Sequence, residues 1–172
     1  MCPAALVQPF AMKRLLALLC SLLTALGLPG CDQAALQELR PGVSTAQEVR
    51  QRMGPPNHEW QNEDGSVTWE FSRQPQGTVC YMATIGPDQV LRGIDQVLNE
   101  STFERIKPGM TSPEVLRRLG RPAKREFFEL KQQHVWSWLI DNKLPAVQVY
   151  FTVTFNADGR VVTSGPFTEQ VG

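Results

Sequence analysis

Few residues of this 172-residue chain have the types and spacing to do chemistry. His58 and His134 stand at corresponding places ahead of two similar aromatic segments. Neither has a companion at metal-ligand spacing, and a lone histidine is weak evidence for a ligand. Asp88 and Asp158 are explained as turn residues. There is no Ser/His/Asp, Cys/His or glycine-rich phosphate motif, so no acid, base, nucleophile and metal set converges. The sequence therefore predicts a protein that is not an enzyme, with no cofactor and no metal.

Binding chemistry is better represented. Trp69 and Phe71, then Trp136 and Trp138, are aromatic pairs two residues apart, each on a single face of an extended segment. Such pairs are either core or the anchors that partner surfaces favour. Cys80 and Met82 lie on the face opposite Val79, Tyr81, Ala83 and Ile85. An apolar outer face needs a cover, either the other half of the chain or a partner. A second feature is basic. Arg105, Lys107, Arg117, Arg118, Arg121, Lys124 and Arg125 are seven cations in 21 residues, opposed by Glu114 alone. Arg117, Arg118, Arg121, Lys124 and Arg125 would suit anionic phospholipid headgroups or an acidic partner, unless they form an ordinary solvated face.

The elements that must position these residues are written twice. Lys107 to Pro122, KPGMTSPEVLRRLGRP, has an altered copy at Arg40 to Pro56, RPGVSTAQEVRQRMGPP. Ser44 with Gln47, and Thr111 with Glu114, have capping-box spacing. Gly54 and Gly120 can adopt the left-handed conformation that closes a helix, and Pro56 and Pro122 cannot continue one. Val49 and Met53, or Val115 and Leu119, share one face. The first copy carries one extra residue before its valine.

Each copy is preceded by a short helix, Gln33 to Leu39 or Ser101 to Ile106, the latter with Ser101 and Glu104 at capping-box spacing. Strands follow. Val67 to Phe71 alternates, as does Val147 to Phe155, and Asp158-Gly159 signals a hairpin into a third strand. Asn57 to Ser66 and Pro122 to Gln133 read as hairpin or loop approaches, and Ser164 to Gly172 as a loose tail. The predicted class is α+β, two tandem helix-helix-strand-strand-strand units with antiparallel sheets packed by short helices, spanning 31–97 and 98–172. Units of this size are marginal alone, so they are expected to pack together.

Ahead of them, Lys13-Arg14, an apolar run from Leu15 to Leu28 and Leu28-Pro29-Gly30-Cys31 make residues 1–30 an export signal, with Met12 an alternative start. The run is shorter than the roughly 18 residues a spanning helix wants. Its ending resembles the lipobox of bacterial lipoproteins, which implies cleavage before Cys31 and lipidation of that cysteine, with the acyl chains holding the protein on a membrane. Cys2 and Cys20 leave with the signal, so Cys80 remains as the one free thiol and no internal disulfide is possible. Loss of 1–30 leaves 15 cations against 17 acids, a formal balance of about −2. That is not the charge of a nucleic-acid binder.

Gly109, Met110, Thr111, Val115, Leu119, Gly120 and Pro122, followed by a tryptophan-bearing strand, resemble the SmpA/OmlA family of outer-membrane lipoproteins, the BamE-like group. Gly42, Ser44, Val49, Met53, Gly54 and Pro56 meet the pattern loosely. The resemblance implies a fold like that of the β-lactamase inhibitor protein, which also uses tandem copies. It also implies a lipid-anchored, non-catalytic accessory in outer-membrane protein assembly or envelope integrity, working through an envelope protein partner. Two departures stand out: Asp32 to Arg40 does not match the tyrosine- and valine-containing segment of the assembly lipoproteins, and those have one copy where this chain has two. An alternative expectation is a periplasmic inhibitor or sensor that grips a protein with its sheet. Location follows the same split, since the family points to the outer membrane whereas Asp32 after the lipidated cysteine resembles an inner-membrane retention signal.

Overall fold

The protein is described from a computed structural model, which covers residues 31–144 and 146–171. The expected signal, residues 1–30, lies outside the described residues. The chain divides into two compact units, Met1–Leu36 and Gln37–Gly172. In chain order the elements are α1 (Cys31–Glu38), α2 (Ala46–Met53), β1 (His58–Gln61), β2 (Val67–Ser72), β3 (Cys80–Ile85), β4 (Leu91–Gln96), α3 (Glu100–Phe103), α4 (Ser112–Leu119), β5 (Lys124–Phe128), a 3₁₀ turn (Glu129–Lys131), β6 (Gln133–Asp141), β7 (Val147–Phe155) and β8 (Val161–Gln170). No helix among the described residues is long and apolar enough to cross a membrane.

The second unit is α+β, with two four-stranded antiparallel sheets ordered β1-β2-β3-β4 and β5-β6-β7-β8. Each sheet has one strand more than the three predicted. The extra strands, β1 and β5, form inside the approaches to the first aromatic strand, as the outer arms of hairpins paired to β2 and β6. Nor is the C-terminus a loose tail. Ser164 to Gln170 continues β8, which pairs with β7 as far as Val147 opposite Gln170. The long alternation of β7 supplies a template for all of it.

Helix ends follow local chemistry, with two corrections. The capping box of α2 is Thr45 with Glu48, not Ser44 with Gln47. Ser44 instead accepts the Arg40 N–H at 3.0 Å, so the extra residue of the first copy is absorbed in the turn before the cap. For α3 the cap is Asn99, whose side chain accepts the Thr102 N–H at 3.0 Å, rather than Ser101 with Glu104. Asparagine is at least as good a cap as serine, and it sits two residues earlier. The Thr111/Glu114 box of α4 forms as predicted.

Both boxes hold their carboxylates below the usual range. The Thr45 N–H does so for Glu48 and the Thr111 N–H for Glu114, the hydroxyls adding to each. A depressed carboxylate contributes stability that is complete above its unfolded value and is lost as pH falls through the folded one. Melting temperature is therefore expected to fall between about pH 5 and pH 3, and the double change Glu48→Gln, Glu114→Gln is expected to flatten that limb in a calorimetric pH series.

The repeat extends to how each helix is seated. Ala46 N–H donates to Gln89 C=O at 2.8 Å and Gly42 N–H to Leu91 C=O at 2.7 Å; Ser112 N–H donates to Gly159 C=O at 2.9 Å and Gly109 N–H to Val161 C=O at 2.8 Å. In each half the hairpin before the last strand thus clamps the start of the helix. Strand register puts Trp69, Phe71, Ala83 and Ile85 on one face of the first sheet, and Trp136, Trp138, Phe151 and Val153 on the matching face of the second.

The reverse face of the first sheet decides how the halves meet. Cys80 and Met82 join one buried cluster with Val115 and Leu119 of α4 and with Trp138, Phe151 and Val153 of the second sheet. The cover for Cys80 and Met82 is therefore the chain's own second half. Burying Val115 and Leu119 completely contributes about 1.5–3 kcal/mol each, so this seam is a principal core and not a loose junction.

Candidate binding cleft

The seam is set by the end of α4. Gly120 has φ +73 and ψ −165, an extended glycine-only region rather than the left-handed cap, and Gly54 is alike at φ +83 and ψ −170. Gly120 N–H closes the helix on Leu116 C=O at 2.8 Å. Its own carbonyl accepts the Trp138 indole N–H at 3.0 Å. The next amide, Arg121 N–H, donates at 2.7 Å to the carboxylate of Glu70, which is 2% exposed. One glycine thereby ties α4 to the second sheet through its oxygen, and the residue after it ties α4 to the first. Farther along, the Gln74 carboxamide donates to Leu139 C=O at 2.8 Å and accepts Leu139 N–H at 3.0 Å, completing β6 where β5 has ended.

Beside this seam lies a cleft of about 210 Å³, walled by His58 and Trp60 of β1, by Leu116, and by Arg121 and Arg125, with Glu70 at its base. His58 and Trp60 alternate on β1, so both face the same side, with ring centroids 4.1 Å apart. Arg125 lies 4.4 Å over the Trp136 ring and Arg117 lies 5.5 Å over Trp60. These cation–π contacts hold flat guanidiniums at the cleft margin. Neither Arg121 nor Arg125 takes part in an ion pair among the described residues. The buried Trp60 Nε1 has no acceptor among the described residues. With two guanidiniums against the Glu70 carboxylate, the cleft has net positive character and flat apolar walls.

The structure sorts the predicted residues. Trp69, Phe71, Trp138, Cys80 and Met82 are all buried within the protein. Trp136 is half-buried, packed on Phe155 at 4.7 Å. Cys80 is enclosed, and burial first and then Glu70 push its thiol far above the ordinary range, so it stays protonated and inert. Arg121 and Arg125 come together at the cleft. Arg117 is spent on Asn62 Oδ1 at 2.9 Å and Gln61 C=O at 2.8 Å. Arg118 is exposed on α4, near Glu114. Lys124 alternates to the opposite face of β5, where it pairs with Glu169 and lies 4.5 Å over Tyr150. Its pKa is raised, chiefly by that Glu169 bond.

Trp60 and Glu70 were not singled out by sequence, and His58 reads there as a surface residue. The one available signal was the alternation His58-Glu59-Trp60, which is too short to announce a strand alone.

No protein-family model matches the chain, and no curated protein matches it. Among solved structures it is similar to a candidate beta-lactamase inhibitor protein from Streptococcus mutans, at 12% identity over 80% of this chain and 95% of that one, with a TM-score of 0.31. It is also similar to a DUF4309 family protein from Bacillus subtilis, at 13% identity over 84% of this chain and 87% of that one, with a TM-score of 0.30. Likenesses this distant carry no argument about function.

Proposed function

We propose that this chain is a lipid-anchored, non-catalytic envelope protein that holds an acidic segment of a partner protein at the seam cleft, as an accessory in outer-membrane protein assembly. The observation that carries the reading is the convergence of Arg121 and Arg125, neither ion-paired among the described residues, on a cleft walled by His58 and Trp60. The Arg125 guanidinium, held over Trp136, presents its donor edge to a carboxylate with little left to order on binding. The anchor rests on Leu28-Pro29-Gly30-Cys31.

Two experiments test the parts separately. A photo-crosslinker at His58, on the cleft wall, is expected to capture an outer-membrane assembly component in whole cells. Arg121→Glu with Arg125→Glu is expected to cut that capture by tenfold or more, as charge reversal at a close contact does. Capture of a soluble hydrolase alone, or capture indifferent to the reversal, contradicts the reading. For the anchor, Cys31→Ala is expected to move the protein from the membrane to the soluble fraction, and unchanged fractionation contradicts lipidation. A sucrose gradient of the unaltered protein then assigns the membrane, the outer one being the expected result.

A further inference from the structure

The reverse face of the first sheet does not end at the apolar seam. Thr68 opposite Thr84, and Met82 opposite Asp95, share that face with Cys80. Cys80 and Met82 are buried, whereas Thr68 and Thr84 are half-buried and Asp95 is exposed. Here the face lines a groove of about 450 Å³, bounded also by Arg105, from the turn between α3 and α4, and by Arg117 and Arg118 of α4. Met82 and Val97 are its only apolar lining residues. A small organic molecule fits such a volume, but an apolar or aromatic one finds no wall there.

The charge of the groove is left uncompensated by the protein. In the first copy of the helix, Arg50 pairs with Glu59 and Arg52 with Glu38. In α4 the carboxylate of Glu114 is engaged by the Thr111 N–H and hydroxyl, and none of Arg105, Arg117 and Arg118 is ion-paired among the described residues. The bonds of Arg117 to Asn62 Oδ1 and Gln61 C=O fix its guanidinium but take only two of its five N–H groups. Asn62 also donates to Thr68 Oγ1 at 3.0 Å, so the Thr68 hydroxyl keeps its own proton to donate. Three guanidiniums against the carboxylate of Asp95 leave the groove at a net charge of about +2. A phosphate monoester carries about −1.5 to −2 at neutral pH, and guanidinium forks match its oxygens. A phosphodiester or a lone carboxylate would leave part of the charge unmatched. Asp95 can only accept hydrogen bonds, so it repels phosphate itself and suits a hydroxyl beside it.

We propose that this groove binds a phosphate monoester on a hydroxylated body, the chemistry of a sugar phosphate, with the phosphate on Arg105, Arg117 and Arg118 and a ligand hydroxyl on Asp95. The site is separate from the seam cleft, where Arg121 and Arg125 converge. The test is titration calorimetry of the full-length protein in detergent with glucose 6-phosphate, inorganic phosphate and glucose. Glucose 6-phosphate is expected to bind at least tenfold more tightly than either of the others. Arg105→Gln with Arg118→Gln, both at exposed positions, is expected to weaken it at least tenfold with the melting temperature unchanged. Asp95→Asn is expected to weaken glucose 6-phosphate threefold or more while inorganic phosphate binds as well or better, a split that a merely basic patch would not give. Inorganic phosphate bound as tightly as glucose 6-phosphate would mean an adventitious ion only, and overturns the proposal. So does a glucose 6-phosphate affinity that is indifferent to the arginine pair, or no binding of it at all. Retention on phosphatidylglycerol vesicles that needs Arg105 and Arg118, without binding of glucose 6-phosphate, assigns the groove to a lipid surface and overturns it too.

Discussion

Gly120→Ala is expected to destabilise the protein by about 2–6 kcal/mol, whereas Gly54→Ala at the corresponding position costs about 1–3 kcal/mol. Both glycines sit at φ and ψ values that only glycine adopts readily, so strain of about 1–3 kcal/mol is common to the pair. Their surroundings differ. A Cβ at Gly54 meets nothing within 4 Å, while one at Gly120 would lie 2.6 Å from Cys80 Sγ and 3.0 Å from the Glu70 carboxylate. Cys80 is fully enclosed and Glu70 is fixed by Arg121 N–H, so neither neighbour can yield cheaply. The excess of Gly120→Ala, about 1–3 kcal/mol, measures overpacking at the seam. Urea titrations of both variants check it, and equal midpoint shifts would mean that α4 does not press on the first sheet.

Trp138→Ala is the other large effect, at about 3–5 kcal/mol. Its side chain is fully buried in the seam cluster, and its indole N–H is the donor to Gly120 C=O. Removal leaves a cavity and an unpaired carbonyl together. Against a total stability of about 5–15 kcal/mol, the variant is expected to be largely unfolded or close to it. Trp138→Phe keeps most of the volume but gives up the hydrogen bond, and is expected to cost about 1–3 kcal/mol. Fluorescence-monitored urea unfolding separates the two. A mild Trp138→Ala would place this tryptophan at a surface, as the alternative sheet-binding expectation required.

What the sequence disclosed divides along physical lines. Helix positions, the Thr111/Glu114 box and the duplicated sheets were legible because capping and alternation are local signals. The cap of α2 was misplaced by one residue because Ser44 and Thr45 are both competent caps, and the choice depends on the turn that also bonds Ser44 to Arg40. Strands β1 and β5 read only as approaches in the sequence because each depends on a long partner for its pairing. Sequence posed the cover of Cys80 and Met82 as a question between the other half and a partner, and the packing of α4 answers it. The cleft was half legible. Its arginines stood out as charge, but their convergence with His58 and Trp60 follows from the close approach that Gly120 permits, and local spacing says nothing of that.

The seam and its cleft require the two sheets to form one cooperative body joined through α4. Hydrogen exchange measured by mass spectrometry on the unaltered protein tests this most directly. Amides of Cys80–Ile85 and of Val147–Phe155 are predicted to share one opening free energy, and Gly120→Ala is predicted to lower both by the same amount. If the first sheet exchanges at a separate, lower free energy and Gly120→Ala shifts only the second, the halves fold independently and the seam, with its cleft, is not a built site.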